Sequence, residues 1–106
     1  MKLGIMQGRL SLPVDEHIQE FPFDKWKMEF IHLFNMKLNH IEWLVTKLSY
    51  KENPIFSNNY QLSNLPINSI CADNLVDEKI HNLKFLKKEL LPLCDAAYKN
   101  NIPSIT

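Results

Sequence analysis

Short apolar segments alternate with helical patterns along this chain, at intervals close to the length of one strand–helix–strand unit. Residues 2–7, 40–45 and 66–72 are short, apolar and bounded by turn residues, which predicts three buried strands. Residues 102–106 predict the start of a fourth. Strands joined by crossover helices pair in parallel with right-handed connections. The alternation therefore predicts an α/β protein built on a parallel sheet.

Two amphipathic helices are predicted between these strands. The first follows Asp24, which is placed to cap it, and its apolar positions recur at helical spacing: Trp26, Phe30, Leu33, Phe34 and Leu38. The second begins near residue 78, and its apolar positions are Leu83, Leu86, Leu90, Leu93, Cys94 and Ala97. Pro92 is expected to kink or split this helix, and Asn100-Asn101 to end it.

The second crossover is the shortest. Asn53-Pro54 marks a turn, and only a weakly apolar stretch around Tyr60, Leu62 and Leu65 is available for a helix there. Two closures of the sheet remain open: a doubly wound sheet, or a (β/α)8 barrel of normally about 250 residues. No G-x-G-x-x-G motif follows the first strand, which argues against the dinucleotide-binding version of the doubly wound sheet.

Composition and charge exclude several classes of partner. Basic and acidic residues number 12 each, so nothing in the net charge favours nucleic acid or an anionic membrane. No apolar run approaches the roughly 20 residues that span a bilayer. The two cysteines, Cys71 and Cys94, lie in apolar surroundings outside any C-x-x-C pair, as expected for free thiols in a reducing compartment. We therefore predict a cytoplasmic protein.

Four polar residues lie where the predicted strands end: Gln7, Arg9, Glu42 and Asp73. A carboxylate within an apolar strand requires a partner, and Arg9 is the candidate partner of Glu42. In the functional hypothesis, these four side chains bind a substrate. The structural alternative is that Arg9 or a lysine only neutralises Glu42, while Asp73 caps the turn before the next helix.

Other residues have structural interpretations. The histidines are scattered without metal-ligand spacing, which predicts surface positions for His17, His32, His40 and His81. The stripe formed by Trp26, Phe30 and Phe34 is typical of core packing, and Trp43 has the same interpretation. Cys71 has no histidine near it in the sequence, so burial is favoured over a nucleophilic role.

Three stretches of the chain resemble the xylose-isomerase-like barrel family of sugar isomerases and epimerases, to which apurinic endonucleases are related. They are residues 2–11, the block 26–43 that leads into Ile41-Glu-Trp-Leu44, and Ser69-Ile-Cys-Ala-Asp73. The resemblance covers residues 1–106, essentially the whole chain. It implies a partial (β/α)8 TIM barrel: the first three βα units and the start of strand 4. Relatives usually have a longer second crossover, and glycine near Leu38-Asn39-His40.

The resemblance also implies a function. It identifies the chain as the N-terminal part of a sugar or sugar-phosphate isomerase or epimerase. Glu42 and Asp73 would accept hydrogen bonds from sugar hydroxyls, Gln7 would lie beside them, and Arg9 would contact a phosphate or carboxylate. Members of the family bind a divalent metal such as Mn, Mg or Zn through later strands, so we expect no metal site in this chain and no activity alone.

Two alternatives remain. In the first, the chain would be a non-catalytic remnant or split-gene half that associates with a C-terminal half or with itself. Apolar parallel strands at a sheet edge are normally covered, which motivates this alternative. An apurinic-endonuclease-like protein is the other alternative, and the neutral charge argues against it.

Overall fold

A computed structural model describes residues 3–10, 20–46, 50, 52–57, 60, 62–75 and 83–106. Four strands form one sheet in the order β1-β2-β3-β4, and every pairing is parallel. The strands are β1 (Gly4–Met6), β2 (His40–Val45), β3 (Ile67–Ala72) and β4 (Ser104–Ile105). Each lies inside a predicted segment, so the predicted parallel α/β sheet is confirmed. His17, His81 and the predicted helix start near residue 78 lie outside the described residues.

The two described helices pack on the same face of the sheet. Trp43 of β2 and Ile70 of β3 are register partners, so their side chains point to one face. Both belong to a buried cluster that also contains Trp26 of α1 (Trp26–Asn35) and Leu93 of α2 (Leu83–Lys99). We call this side the helix face. The opposite face carries Glu42 of β2 and its register partners on β1 and β3.

Two expectations about α1 are wrong. The residue before the helix is Lys25, which makes no side-chain capping bond, so Asp24 does not cap α1. Phe34 is 81% exposed and does not join the core. Trp26 and Leu33 are buried as expected, and they define the inward side of the helix. Phe34 lies about 80° around the helix axis from Trp26, which directs its ring away from the sheet.

The structure bears on the expectations for two positions of α2: it excludes the split expected at Pro92, but not the kink, and it contradicts the environment expected for Cys94. It runs from Leu83 to Lys99 with Pro92 inside it, so the proline does not split the helix. Proline removes one backbone donor, and the burial of Leu93 and Ala97 on the sheet side keeps the segment helical. Cys94 is exposed rather than in apolar surroundings, although both cysteines are free thiols as predicted.

Both helices end in the same motif, in which a residue with positive φ reverses the chain. Lys37 has φ 59° after α1, and Asn101 has φ 57° after α2. After α1, Lys37 donates to the carbonyl of Phe34 and Leu38 to that of Leu33, at 3.1 and 3.0 Å. This is the Schellman pattern, whose left-handed position favours glycine and tolerates asparagine. The predicted stop at Asn100-Asn101 is confirmed.

Replacing Lys37 with glycine is expected to stabilise the protein by about 1 kcal/mol, because a lysine Cβ is strained in the left-handed conformation. Urea denaturation followed by circular dichroism measures the change. Asn101→Gly is the matched control, and it should gain less because asparagine is already tolerated there. Equal gains would show that Lys37 is no more strained than Asn101, and a loss at Lys37 would show that it is unstrained.

The crossover from β2 to β3 contains a short 3₁₀ helix, Pro54–Phe56. The helix expected around Tyr60, Leu62 and Leu65 is absent from the described residues there: Leu65 donates to the carbonyl of Leu62 in a turn. Pro66, which follows at once, disfavours helical backbone at the residue before it. The described residues of this crossover therefore form a 3₁₀ helix and a turn in place of the expected α-helix.

Asn53 anchors this crossover to β2. Its buried side-chain oxygen accepts from Trp43 Nε1 at 2.7 Å and from the Ile55 backbone N–H at 3.1 Å. Its amide nitrogen donates to the Leu44 carbonyl at 2.9 Å. The turn predicted at Asn53-Pro54 is thus confirmed, and it is fixed by contacts that bury an asparagine at the edge of the aromatic core.

Candidate functional site

The four residues predicted to form a site do not all lie at the same height on the sheet. Gln7 and Arg9 follow β1, and Asp73 follows β3 directly as the first residue of a 3₁₀ helix. Glu42 lies within β2 and pairs with Met6 and Ser69. Ser69 is three residues before Ala72, the last residue of β3, so Glu42 lies about 10 Å before the end of β3 along the strand direction. Glu42 is therefore deeper than the rim formed by the strand ends.

Gln7 is a structural link between β1 and β2. It is 1% exposed, and its side-chain oxygen accepts from the Leu44 backbone N–H at 3.0 Å. Its own backbone N–H donates to the Glu42 carbonyl at 2.9 Å. Among the described residues, Gln7 Nε2 has no hydrogen-bond partner. The Leu44 bond fixes the orientation of the amide, so one buried donor remains beside the strand ends.

Cys71 of β3 lies between the carboxylates of Glu42 and Asp73. Burial raises the pKa of its thiol, and the charges of Asp73 and Glu42 raise it further. A hydrogen bond with the Asp73 backbone acts in the opposite direction. The thiol is consequently protonated at neutral pH, which supports the structural interpretation of Cys71 over a nucleophilic one. Glu42, Cys71 and Asp73 thus form an acidic strip that is partly open to solvent.

Glu29 of α1 is a functional candidate that the sequence patterns did not reveal. Its carboxylate is fully buried and accepts from the Gly8 N–H at 3.0 and 2.9 Å and from the Leu10 N–H at 3.0 Å. Gly8 has φ 94°, which favours glycine. Glu29 therefore ties the turn after β1, which carries Arg9, to the first helix.

A second buried carboxylate, that of Glu20, fixes the end of the β1–α1 loop that leads into α1. Glu20 accepts hydrogen bonds from Thr46 Oγ1 and from the Phe21 backbone N–H. Thr46 comes directly after β2, so this contact joins the loop before α1 to the end of the second strand. The only sequence signal for Glu20 and Glu29 is a carboxylate beside aromatic residues, and neither partner could be named from spacing.

Two histidines, His32 and His40, lie in the part of the chain that the structure describes. His32 is exposed and His40 half-buried. Within the described ranges, no three His, Cys, Asp or Glu side chains converge to hold a metal ion.

A separate cleft of about 320 Å³ lies between the loop before α1 and the β2–β3 crossover. Its walls are mostly aromatic: Phe21, Phe23, Trp26, Phe56 and Tyr60. None of the four predicted site residues lines it. The Lys27 ammonium lies 5.4 and 5.1 Å from the ring centroids of two of these wall residues, Trp26 and Tyr60.

Comparison with known proteins found no match: no protein-family model, curated protein or solved structure matches the chain. Among the residues that the structure describes, neither helix has the length and apolar character to cross a bilayer.

Proposed function

We propose that this chain forms the first strands of a sugar or sugar-phosphate isomerase or epimerase of the xylose-isomerase-like type. The proposal assigns β1–β4 to consecutive strands of a (β/α)8 barrel wall. The face of the sheet opposite the helix face would then be the interior of the barrel, and Glu42 and Cys71 would line it. The observation that carries it is the strand order together with the placement of the helices.

The strand order and the helix positions favour a barrel over a doubly wound sheet. A doubly wound sheet starts near its centre, reverses its strand order and places helices on both faces. Here the strands follow one another as β1-β2-β3-β4, and α1 and α2 share the helix face. Consecutive parallel strands with helices on one side are the arrangement that closes into a barrel.

The side chains at the strand ends support a polar, anionic substrate. Arg9 is exposed in the turn after β1, and its planar guanidinium is suited to a phosphate or carboxylate. Glu42 and Asp73, both half-buried, would accept hydrogen bonds from sugar hydroxyls. The reaction class is proton transfer at the carbon next to a carbonyl. This chain's contribution is to bind and orient the substrate.

Titration of the 15N-labelled chain with fructose 6-phosphate tests the proposal. We expect shifts in the backbone amide signals of Gly8, Arg9 and Asp73, and weaker shifts with fructose because the phosphate is lost. Arg9→Gln should weaken phosphate-dependent binding by at least about tenfold, because it removes a charged hydrogen bond. Lys27→Gln is the matched control, and it should leave binding unchanged. No shift at these amides, or equal effects of both substitutions, would contradict the proposal.

A second candidate function is association with another chain, and the distribution of exposed apolar side chains favours it. The exposed apolar residues include Leu3 before β1, Met28, Ile31 and Phe34 on α1, Met36 just after α1, and Leu91 and Tyr98 on α2. Among the described strands, β1 pairs only with β2, and β4 only with β3. Unpaired edges of parallel strands beside apolar helix surfaces promote association.

Size-exclusion chromatography with light scattering tests this candidate. We expect a mass above that of one chain, and we expect the double variant Ile31→Lys/Phe34→Lys to shift the mass toward the monomer. Asn35→Lys on the same helix is the control, because it adds charge at an exposed polar position. A monomer at every concentration, or loss of association in the control as well, would contradict an apolar interface on α1.

A further inference from the structure

The turn that carries Arg9 is held on both sides of Arg9 by one carboxylate. Gly8 and Leu10, its two chain neighbours, both donate their backbone N–H groups to Glu29 of α1. We infer that Glu29 is a positioning residue that holds Arg9 where it binds the anionic group of the substrate. This inference rests on the proposed function for the role of Arg9. The hydrogen bonds from Gly8 and Leu10 to Glu29, which we call the tie, do not depend on that function.

The geometry requires a carboxylate rather than a neutral amide. The Gly8 N–H lies within 3.0 Å of both carboxylate oxygens, and the Leu10 N–H bonds one of them. Two N–H groups that converge on one point form a small anion-binding nest, and the positive φ of Gly8 helps to build it. In a glutamine at this position, one oxygen would become an NH2 group facing the Gly8 N–H. The charge of Glu29 therefore matters as well as its shape.

The tie can be separated from the rest of the fold. The helix α1 contacts the sheet through Trp26, which packs in the buried cluster with Trp43 and Ile70, and this packing does not use the Glu29 carboxylate. Loss of the carboxylate is therefore expected to release the turn after β1 while the sheet remains. Arg9 would then sample many positions, and its contribution to binding would fall.

Amide hydrogen exchange on the full chain tests the tie without any substrate. In Glu29→Gln, the amides of Gly8 and Leu10 should exchange at least about tenfold faster, while those of Ile41 and Ile70 should not change. Glu52→Gln is the matched control: it removes the same charge at an exposed position. Unchanged exchange at Gly8 and Leu10, or a uniform increase across the sheet, would overturn the inference.

Chemical rescue separates charge from shape. In Glu29→Ala, added acetate should restore slow exchange at Gly8 and Leu10, because acetate replaces the deleted CH2-carboxylate group. Acetamide has a similar shape without the charge, and it should restore nothing. Equal rescue by acetate and acetamide, or rescue by neither, would overturn the claim that the turn binds an anion.

The link to Arg9 is tested with fructose 6-phosphate as the probe. Glu29→Gln should weaken binding by about as much as Arg9→Gln, and the double variant should bind no more weakly than Arg9→Gln alone. Additive losses would show that Glu29 does not act through Arg9. A wild-type chain that does not bind the probe overturns the proposed function, and with it the role of Glu29 in binding. In that case the exchange and rescue measurements still decide whether the tie exists.

Discussion

Replacing Trp43 with alanine is expected to lower the free energy of unfolding by about 3–5 kcal/mol. Trp43 is fully buried at the centre of the helix face, and its ring centroid lies 5.5 Å from those of Phe21 and Trp26 and 6.4 Å from that of Phe30. Alanine would leave a cavity among three aromatic rings and remove the hydrogen bond from Trp43 Nε1 to the side chain of Asn53. Because domains of this size are stable by only about 5–15 kcal/mol, much of the population would unfold at moderate urea concentrations.

Urea denaturation followed by far-ultraviolet circular dichroism measures this loss. Phe34→Ala is the matched control, because it truncates an aromatic side chain that is almost fully exposed, and it should change stability by less than about 0.5 kcal/mol. Comparable losses for the two variants would mean that the core is not organised around Trp43.

Replacing Asn53 with alanine is expected to cost about 3–5 kcal/mol, although the residue contributes little apolar area. Three buried groups lose their partner: Trp43 Nε1, the Leu44 carbonyl and the Ile55 N–H. Each buried group left unpaired costs about 1–3 kcal/mol. Urea denaturation again gives the value, with the exposed Asn35→Ala as control.

A Trp43→Phe background sharpens this prediction. Phenylalanine has no Nε1 donor, so one of the three bonds is already absent there. Asn53→Ala should therefore cost about 1–2 kcal/mol less in that background than in the wild type. Equal costs in the two backgrounds would show that the Trp43–Asn53 bond contributes nothing.

The strands could be predicted from local sequence because each is a short apolar run bounded by a turn. The segment His40–Val45 was predicted with the bounds that the structure has. The errors arose where a neighbour far along the chain decides the outcome. Phe34 matches a helical stripe, but no part of the sheet lies beneath it. Pro92 disfavours a helix locally, but the buried residues around it keep the helix continuous.

The candidate site was predictable only in part, for the same physical reason. Residue type and strand position predict Arg9 and Asp73 as candidates, and the structure places both just after a strand end. The register shift between β2 and β3, which places Glu42 level with Ser69, has no signal in spacing alone. Glu29 could not be assigned because its partners are backbone N–H groups about twenty residues earlier, in a turn whose shape depends on Gly8.

A three-dimensional NOE spectrum of the labelled chain tests the central claim most directly, since the site exists only if the strands are parallel and consecutive. We predict parallel-strand contacts between Met6 and Glu42, between Glu42 and Ser69, and between Ser69 and Ser104. Contacts typical of antiparallel pairs, or contacts that place β1 beside β3 or β4, would contradict the strand order and the barrel assignment with it.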